Sequence, residues 1–221
     1  MTTTELRPAE TPTGVGRTAM LLLIGAPLVM ALGRVLLVPL DDQDWEGTLT
    51  DMAAHQGRSD FGWILAVAAS GLLTIAAAVL ARRLLAHRTK SATFAVISTA
   101  LGWAGCAGIA TGGLLMSEMA KATDRGAQVQ ILKNFNDGNA AFIFLLCVIG
   151  AIGYVVLAVG LARAKVTSKG AAVLIGLGGA STLLTMPGPL TPLLVATAVV
   201  LAAGNGLALR SLGGNGSALT A

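Results

Sequence analysis

The sequence predicts an all-α fold, a polytopic membrane bundle of six transmembrane helices with both termini in the cytoplasm. Three observations lead to this prediction. Hydrophobic residues make up 54% of the 221-residue chain, which is more than a soluble protein of this size can bury. Six apolar runs of about 20 residues follow one another, each near the length needed to cross a bilayer. Lysine and arginine fall in alternate connections between those runs.

The polar residues 1–16 show no hydrophobic periodicity, which predicts a disordered cytoplasmic tail. The apolar run that follows is long, and no small-residue cleavage site precedes Asp41, so we favour a membrane span over a cleaved leader. The predicted spans are residues 17–40, 61–80, 93–116, 139–161, 171–186 and 190–209, with a tight turn at Pro187, Gly188 and Pro189 between the last two. They define a membrane domain at 17–210, followed by a flexible cytoplasmic tail at 211–221.

The distribution of charge predicts the orientation of the chain. One side of the membrane receives the basic residues Arg7, Arg17, Arg82, Arg83, Arg88, Lys90, Arg163, Lys165, Lys169 and Arg210. The other side receives nine of the eleven acidic residues: Asp41, Asp42, Asp44, Glu46, Asp51, Asp60, Glu118, Asp124 and Asp137. Because basic connections stay in the cytoplasm, we expect the acidic connections to lie outside.

Composition also limits the kinds of partner that the chain is expected to bind. The net charge of +4 follows from topology and does not indicate nucleic-acid binding. Neither His55 nor His87 has a second histidine or cysteine at metal-ligand spacing, so we predict no metal site and no cofactor. Cys106 and Cys147 lie within apolar runs and are predicted to be small buried residues. The expected partners are membrane lipids and a hydrophobic small molecule.

Four acidic residues within six positions follow the first predicted span: Asp41, Asp42, Asp44 and Glu46. Carboxylates crowded at a low-dielectric boundary favour the neutral acid, and a neutral acid can donate a proton. Their oxygens could also chelate a divalent cation. A solvated loop that only helps to fix topology is the simpler interpretation and the favoured one.

Arg34 lies inside the outer end of the first predicted span, at a depth of about 9 Å by helical rise. A charge at that depth is usually paired or faces a cavity. Alternatively, its long side chain reaches back to the headgroups. The two interpretations are evenly balanced. Asp41, Asp60 and Glu118 are the candidate partners, since all are placed at outer helix ends.

Aromatic residues gather near the outer boundary of the predicted bundle. Asp60 and Trp63 share a helical face because they are three positions apart, and Thr111 and Glu118 likewise line one face of the third span. An interfacial aromatic belt is the simpler explanation. The alternative is a pocket with acids at its mouth and aromatic faces inside, which attract cations. The substrate-binding residues proposed for that pocket are Trp63, Trp103, Phe142 and Arg34.

The six-span plan, the acidic first outer loop and the segment MAAHQGR at residues 52–58 resemble a broad group of small actinobacterial membrane proteins. Similar proteins include integral-membrane terpene cyclases of the drimentine type, which cyclise prenylated indole diketopiperazines. The resemblance implies that a carboxylic acid protonates an alkene or epoxide of the substrate. The matching residue types are Asp60 and Glu118, which come first as candidate acids, and then Asp41, Asp42 and Asp44.

Three functions therefore compete. The chain is a membrane terpene cyclase that protonates and cyclises a farnesyl chain, with aromatic residues stabilising the cation. Alternatively, it is a small transporter or channel in which Arg34 lines the path, or a non-catalytic membrane partner of another protein. The sequence leaves the oligomeric state open.

Overall fold

The computed structural model describes residues 17–41, 43–85, 90–138, 140–185 and 191–214. Within these ranges the chain forms helices and no strand, which confirms the predicted all-α fold. The helices are α1 Arg17–Leu36, α2 Trp45–Ala54, α3 Gln56–Leu85, α4 Lys90–Met119, α5 Arg125–Gly138, α6 Ala140–Arg163, α7 Lys169–Leu184 and α8 Thr191–Gly214. The predicted N-terminal tail, Asp42, Arg88 and the turn at Pro187 to Pro189 lie outside the described residues. Helix α8 continues to Gly214, so the first four residues of the predicted C-terminal tail are helical, and the rest of that tail lies outside the described residues.

Five helices, α1, α3, α4, α6 and α8, are long and apolar enough to cross a membrane. The sixth apolar helix, α7, has 16 residues and covers about 24 Å at the helical rise per residue, against a hydrocarbon core of ~30 Å. Helix α1 ends at Leu36, four residues before the predicted end of the first span at residue 40, whereas α3, α4, α6 and α8 extend past their predicted apolar limits. For example, α3 runs over 30 residues, since the polar flanks at Gln56 and Arg82 continue the helix beyond the apolar run.

The outward-facing surface of these helices is apolar. Leu21, Leu115 and Leu177 are each at least 60% exposed, whereas a soluble helical domain would turn such residues toward its core. The interior is filled by alanine, leucine and a few buried aromatic residues. Apolar residues on both faces of the helices indicate a membrane protein whose outer surface contacts lipid.

The six apolar helices form a closed ring. Each packs against the next along the chain, in the order α1, α3, α4, α6, α7 and α8, and α8 packs back against α1. In this order α6 lies across the ring from α1. The short helices α2 and α5 contact each other and cover one end of the bundle, where α2 also touches α3 and α4 and α5 touches α6.

Small residues allow the helices to approach closely. At the crossing of α4 and α6, a methyl group on Gly102 would place its carbon 2.6 Å from the Cα atom of Gly150. Only glycine fits at such a backbone contact, and close approach of this kind increases dispersion contacts between membrane helices.

The first and last helices are joined by a hydrogen bond at a proline. Pro27 lies inside α1 and has no N–H group, so the carbonyl of Leu23, four residues earlier, loses its helical donor. The side-chain amide of Asn205 on α8 donates to this carbonyl at 2.7 Å. Asn205 therefore satisfies a buried acceptor that the proline leaves free, and it helps to close the ring.

The two acidic outer segments were predicted as loops, and this interpretation was wrong in both cases. The first contains α2, whose N-cap is Asp44, with its carboxylate accepting from the Gly47 N–H at 2.8 Å. The second contains α5, and the Arg125 guanidinium donates to the Thr50 hydroxyl of α2. The apolar-run criterion missed these helices because both are short and polar.

Candidate functional site

The candidate site is built where α1, α3 and α4 meet at the end of the bundle covered by α2. The first two helices touch through glycines. A methyl group on Gly33 would lie 3.0 Å from the Gly62 carbonyl oxygen, and one on Gly62 would lie 2.9 Å from the Gly33 carbonyl oxygen. This backbone contact places Arg34, the residue after Gly33, at the level of the first turns of α3.

Trp63 of α3 packs against α4 at the same junction. Its side chain is 1% exposed, and the indole ring lies against the backbone of Gly113, where any Cβ atom would overlap it. Ser117 follows Gly113 by one turn on the same face of α4. The ends of three helices therefore converge, and we call the residues Arg34, Ser59, Asp60, Trp63 and Ser117 the junction cluster.

The junction cluster is distinguished by buried polar atoms that have no hydrogen-bond partner among the described residues. These atoms are Nε and Nη1 of Arg34, Oγ of Ser59, Oδ1 of Asp60, Nε1 of Trp63 and Oγ of Ser117. Buried polar atoms in folded proteins are almost always paired, so a group of unpaired ones requires an explanation. The one such atom that the described residues place elsewhere is Oδ1 of Asn205.

Arg34 points into the ring. Its side chain is buried, with 6% of its surface exposed. Cys106 of α4 and Cys147 of α6 are neighbours of its guanidinium in the interior. Snorkelling to the headgroups, one of the two predicted interpretations, is therefore wrong.

None of the three predicted acidic partners forms an ion pair with Arg34. Glu118 accepts from the Lys121 ammonium at 2.7 Å through both carboxylate oxygens. Its side chain is 65% exposed and lies on the outward face of α4 with Thr111 and Leu115. Asp41 is exposed, and its Oδ1 accepts from the Gln43 N–H at 3.0 Å. The predicted pairs with Glu118 and Asp41 are absent because both side chains point away from the ring interior.

Asp60 is the remaining predicted acid. It is half-buried on the first turns of α3, and its Oδ1 atom is fully buried without a hydrogen bond. Asp44 has a local structural role as the cap of α2, and Asp42 lies outside the described residues. Among the described acids proposed as catalytic, Asp60 alone presents a buried, unpaired carboxyl oxygen.

The proposed substrate-binding residues occupy three different environments. Trp63 belongs to the junction cluster. Trp103 is fully buried in the core, and its Nε1 atom donates to the Tyr154 hydroxyl at 3.0 Å, with the two rings 6.1 Å apart at 90°. Phe142 is 65% exposed and faces outward from α6. The structure thus brings Trp63 and Arg34 to one junction, but it does not bring Phe142 there.

An apolar groove lies on the outside of the bundle between α1 and α3, with a volume of about 670 Å³. Leu21, Leu22, Gly25, Ile75 and Val79 are among its lining residues, and no charged side chain lines it. Its lining offers no reactive group. The described residues also contain no group of three or more histidine, cysteine or acidic residues able to hold a metal ion.

The sequence interpretation missed Ser59, Ser117 and the cysteine pair as neighbours of the site. Serine and cysteine are common inside membrane helices, so composition carries no signal for them. The spacing does place Ser117 and Glu118 on different sides of α4, because they are consecutive residues of one helix. It does not show which of the two sides faces the interior of the ring. No protein-family model, curated protein or solved structure matches the chain.

Proposed function

We propose that the chain crosses the cell membrane six times, with both termini in the cytoplasm. The closed ring supports the count, because α7 packs between α6 and α8 although it is short. The basic residues support the orientation, since Arg82 and Arg83 end α3 and Arg163 ends α6. A span as short as α7 is accommodated by local thinning of the bilayer.

Single cysteines at glycines with open space test this topology. In a background lacking Cys106 and Cys147, Gly57→Cys and Gly126→Cys should react with an impermeant thiol reagent applied to whole cells. Gly170→Cys should react only after the membrane is opened. Positions 57 and 170 have no atom within 4 Å of an added Cβ, and position 126 has one at 3.6 Å, so folding is preserved. Reaction at position 170 in intact cells would show that the orientation is the opposite of the proposed one.

We propose that this membrane protein is a terpene cyclase that starts its reaction by protonation, with Asp60 as the acid. The observation that carries the proposal is the Oδ1 atom of Asp60, buried without a partner beside Trp63. A carboxyl group without competing hydrogen bonds is free to donate its proton directly to a substrate atom. Glu118 is less suited, since Lys121 occupies both of its oxygens.

The chemistry assigned to these residues is an isomerisation. In its acid form, Asp60 donates its proton to the terminal alkene of a prenyl chain and becomes a carboxylate. The resulting carbocation is attacked by the next alkene, which forms a carbon–carbon bond and moves the cation inward. Loss of a proton to a base then gives the cyclic alkene. The indole face of Trp63 would stabilise the cation, since aromatic faces attract positive charge.

Turnover of a farnesylated indole substrate by isolated membranes tests the proposal. Wild-type membranes should give a cyclic product of unchanged mass. Asp60→Asn should lose activity by about 100-fold or more, the contribution typical of a positioned general acid, because an amide cannot donate this proton. Asp124→Asn is the matched control, since Asp124 is exposed on the loop before α5. An inactive wild type, or a fully active Asp60→Asn protein at equal expression, would contradict the assignment.

A transporter is the second candidate, and the position of Arg34 favours it. A charged side chain in the interior of a ring of membrane helices is typical of proteins that move ions or solutes. Flux measurements in proteoliposomes discriminate between the candidates: a transporter moves solute without changing it, whereas the cyclase converts its substrate without net flux.

A further inference from the structure

Arg34 is unusual among the described arginines because its buried donors are unsatisfied. Arg58 donates from Nε to the Leu36 carbonyl at 3.2 Å, and Arg125 donates to Thr50. In contrast, Nε and Nη1 of Arg34 are buried and donate to no described residue. A buried guanidinium without an anion is strongly destabilising, so this one must be retained for another reason.

Among the unpaired atoms of the junction cluster, three can only donate, namely Nε and Nη1 of Arg34 and Nε1 of Trp63, whereas Oδ1 of Asp60 accepts. The indole N–H of Trp63 can only donate, and it is buried without an acceptor. The hydroxyl groups of Ser59 and Ser117 can donate and are also unpaired. Cys106 and Cys147 are neighbours of the guanidinium, but their thiols are weak donors and do not balance its charge. A junction with this surplus of donors is complementary to an oxyanion.

We infer that Arg34 and the unpaired donors of the junction cluster bind the oxyanion head of an amphiphile, a carboxylate or a phosphate carried on an apolar body. The planar guanidinium presents parallel N–H groups that match the two oxygens of either anion. The apolar body follows from the location, because the interior around the site is made of alanine and leucine side chains. This binding site goes beyond the proposed cyclisation and does not require Asp60.

Equilibrium dialysis on the full chain in phosphatidylcholine nanodiscs tests this inference, with empty nanodiscs as the blank. The probes are radiolabelled oleate, dodecyl phosphate and oleyl alcohol. One of the two anions, or both, should bind saturably, and the alcohol should not. Oleate alone would identify a carboxylate site, whereas dodecyl phosphate alone would identify a phosphate site. Inorganic phosphate should compete weakly with dodecyl phosphate; competition at equal concentration would contradict the need for an apolar body.

Arg34→Gln should weaken binding of the anion by at least about tenfold, the effect of losing a charge-assisted hydrogen bond. The affinity of Arg34→Lys for the anion should lie between those of Arg34→Gln and the wild type, since lysine keeps the charge but lacks the parallel N–H groups of the guanidinium. Arg82→Gln removes an exposed charge and should bind normally. Anion binding is measured without turnover of a prenylated substrate, so a failure of the cyclase proposal is distinguishable from a failure of this one.

A second measurement covers the case in which the Arg34 variants do not fold. In the wild type, oleate or dodecyl phosphate should protect the chain against thermal unfolding in nanodiscs, because a ligand of the folded state stabilises it, and oleyl alcohol should not. Saturable binding of neither anion, equal affinity in Arg34→Gln, or equal protection by the alcohol would overturn the inference.

Discussion

The α7–α8 side of the ring and the α1–α3–α4 junction treat buried polar groups in opposite ways. On the first side, the Thr182 hydroxyl donates to the Gly178 carbonyl at 2.6 Å and lies 3.2 Å from the Thr197 hydroxyl. The Asn205 amide donates from Nδ2 to the free carbonyl of Leu23, and its Oδ1 atom is the one unpaired buried side-chain atom that the described residues place on this side. At the junction, the polar atoms of Arg34 and Trp63 are buried without partners.

The difference separates stability from function. The same chain, in the same apolar interior, pairs its threonines and leaves an arginine unpaired. Because unpaired buried groups cost free energy, a protein selected for stability alone would have removed them. We therefore assign a structural role to the α7–α8 side, whereas the unpaired atoms of the junction fit the anion site that we infer. The predictions below test this contrast, beginning with the largest expected effect.

The first prediction compares the packing of the two regions. Gly113→Ala should lower the free energy of unfolding by about 3 kcal/mol, because the added methyl group overlaps the indole of Trp63. Gly179→Ala on α7 should cost a similar amount, since it overlaps the ring of Tyr154. Unfolding by sodium dodecyl sulfate, followed by circular dichroism in mixed micelles, measures both.

Gly112→Ala is the control, because no atom lies within 4 Å of its added Cβ and alanine favours a helix by up to about 1 kcal/mol. A large loss at Gly179 together with a loss below about 1 kcal/mol at Gly113 would show that Trp63 moves freely, contrary to the packing described.

The second prediction concerns the bond between α8 and the proline in α1. Asn205→Ala should lower the free energy of unfolding by about 2 kcal/mol, because the Leu23 carbonyl is left buried and unpaired. In a Pro27→Ala background the backbone N–H of residue 27 satisfies that carbonyl, so Asn205→Ala should then cost much less. The double-mutant cycle measures the coupling directly. Additive losses would mean that Asn205 acts only through packing.

The fold was largely predictable from the sequence, and particular residues show why. The apolar runs located the six apolar helices because hydropathy is a property of the chain itself. The bounds were less accurate: α3 begins at Gln56, five residues before the predicted span, since a helix does not end where hydrophobicity ends. Helix α2 was missed although Asp44 is a typical N-cap residue, because an acidic segment after a span was interpreted only as a loop.

The candidate site was only partly predictable. Asp60, Trp63 and Arg34 were selected from residue type and depth, and the structure brings them to one junction. Glu118 was selected for the same reasons, but it lies on the outward face of α4, and Lys121 pairs with it. The depth of a residue along a helix can be counted from the sequence. The rotation of the helix about its axis depends on packing, and these helices are too weakly amphipathic for their sequences to specify it.

The third prediction tests the cost of the unpaired charge. Arg34→Met should raise the free energy of unfolding by about 1–2 kcal/mol in the absence of ligand, since replacing an unpaired buried charge by an apolar side chain of similar length removes its desolvation cost. Thr182→Val is the matched control on the α7–α8 side and should be destabilising, because that hydroxyl is paired. A destabilised Arg34→Met protein would show that Arg34 has a structural partner, which would remove the contrast between the two regions.

The smallest effect is expected at Glu118. Its carboxylate is 65% exposed and pairs with Lys121, itself 48% exposed, three residues further along α4. Exposed pairs of this kind contribute little, so Glu118→Gln should change the free energy of unfolding by less than about 0.5 kcal/mol and leave turnover of the farnesylated substrate unchanged. Asp60→Asn, measured in parallel, should be stable and inactive. If Glu118→Gln has normal stability but no turnover, the acid is Glu118 and not Asp60. If Glu118→Gln instead loses much of its stability, this end of α4 is buried in the membrane, and the junction extends to the outward face of the helix.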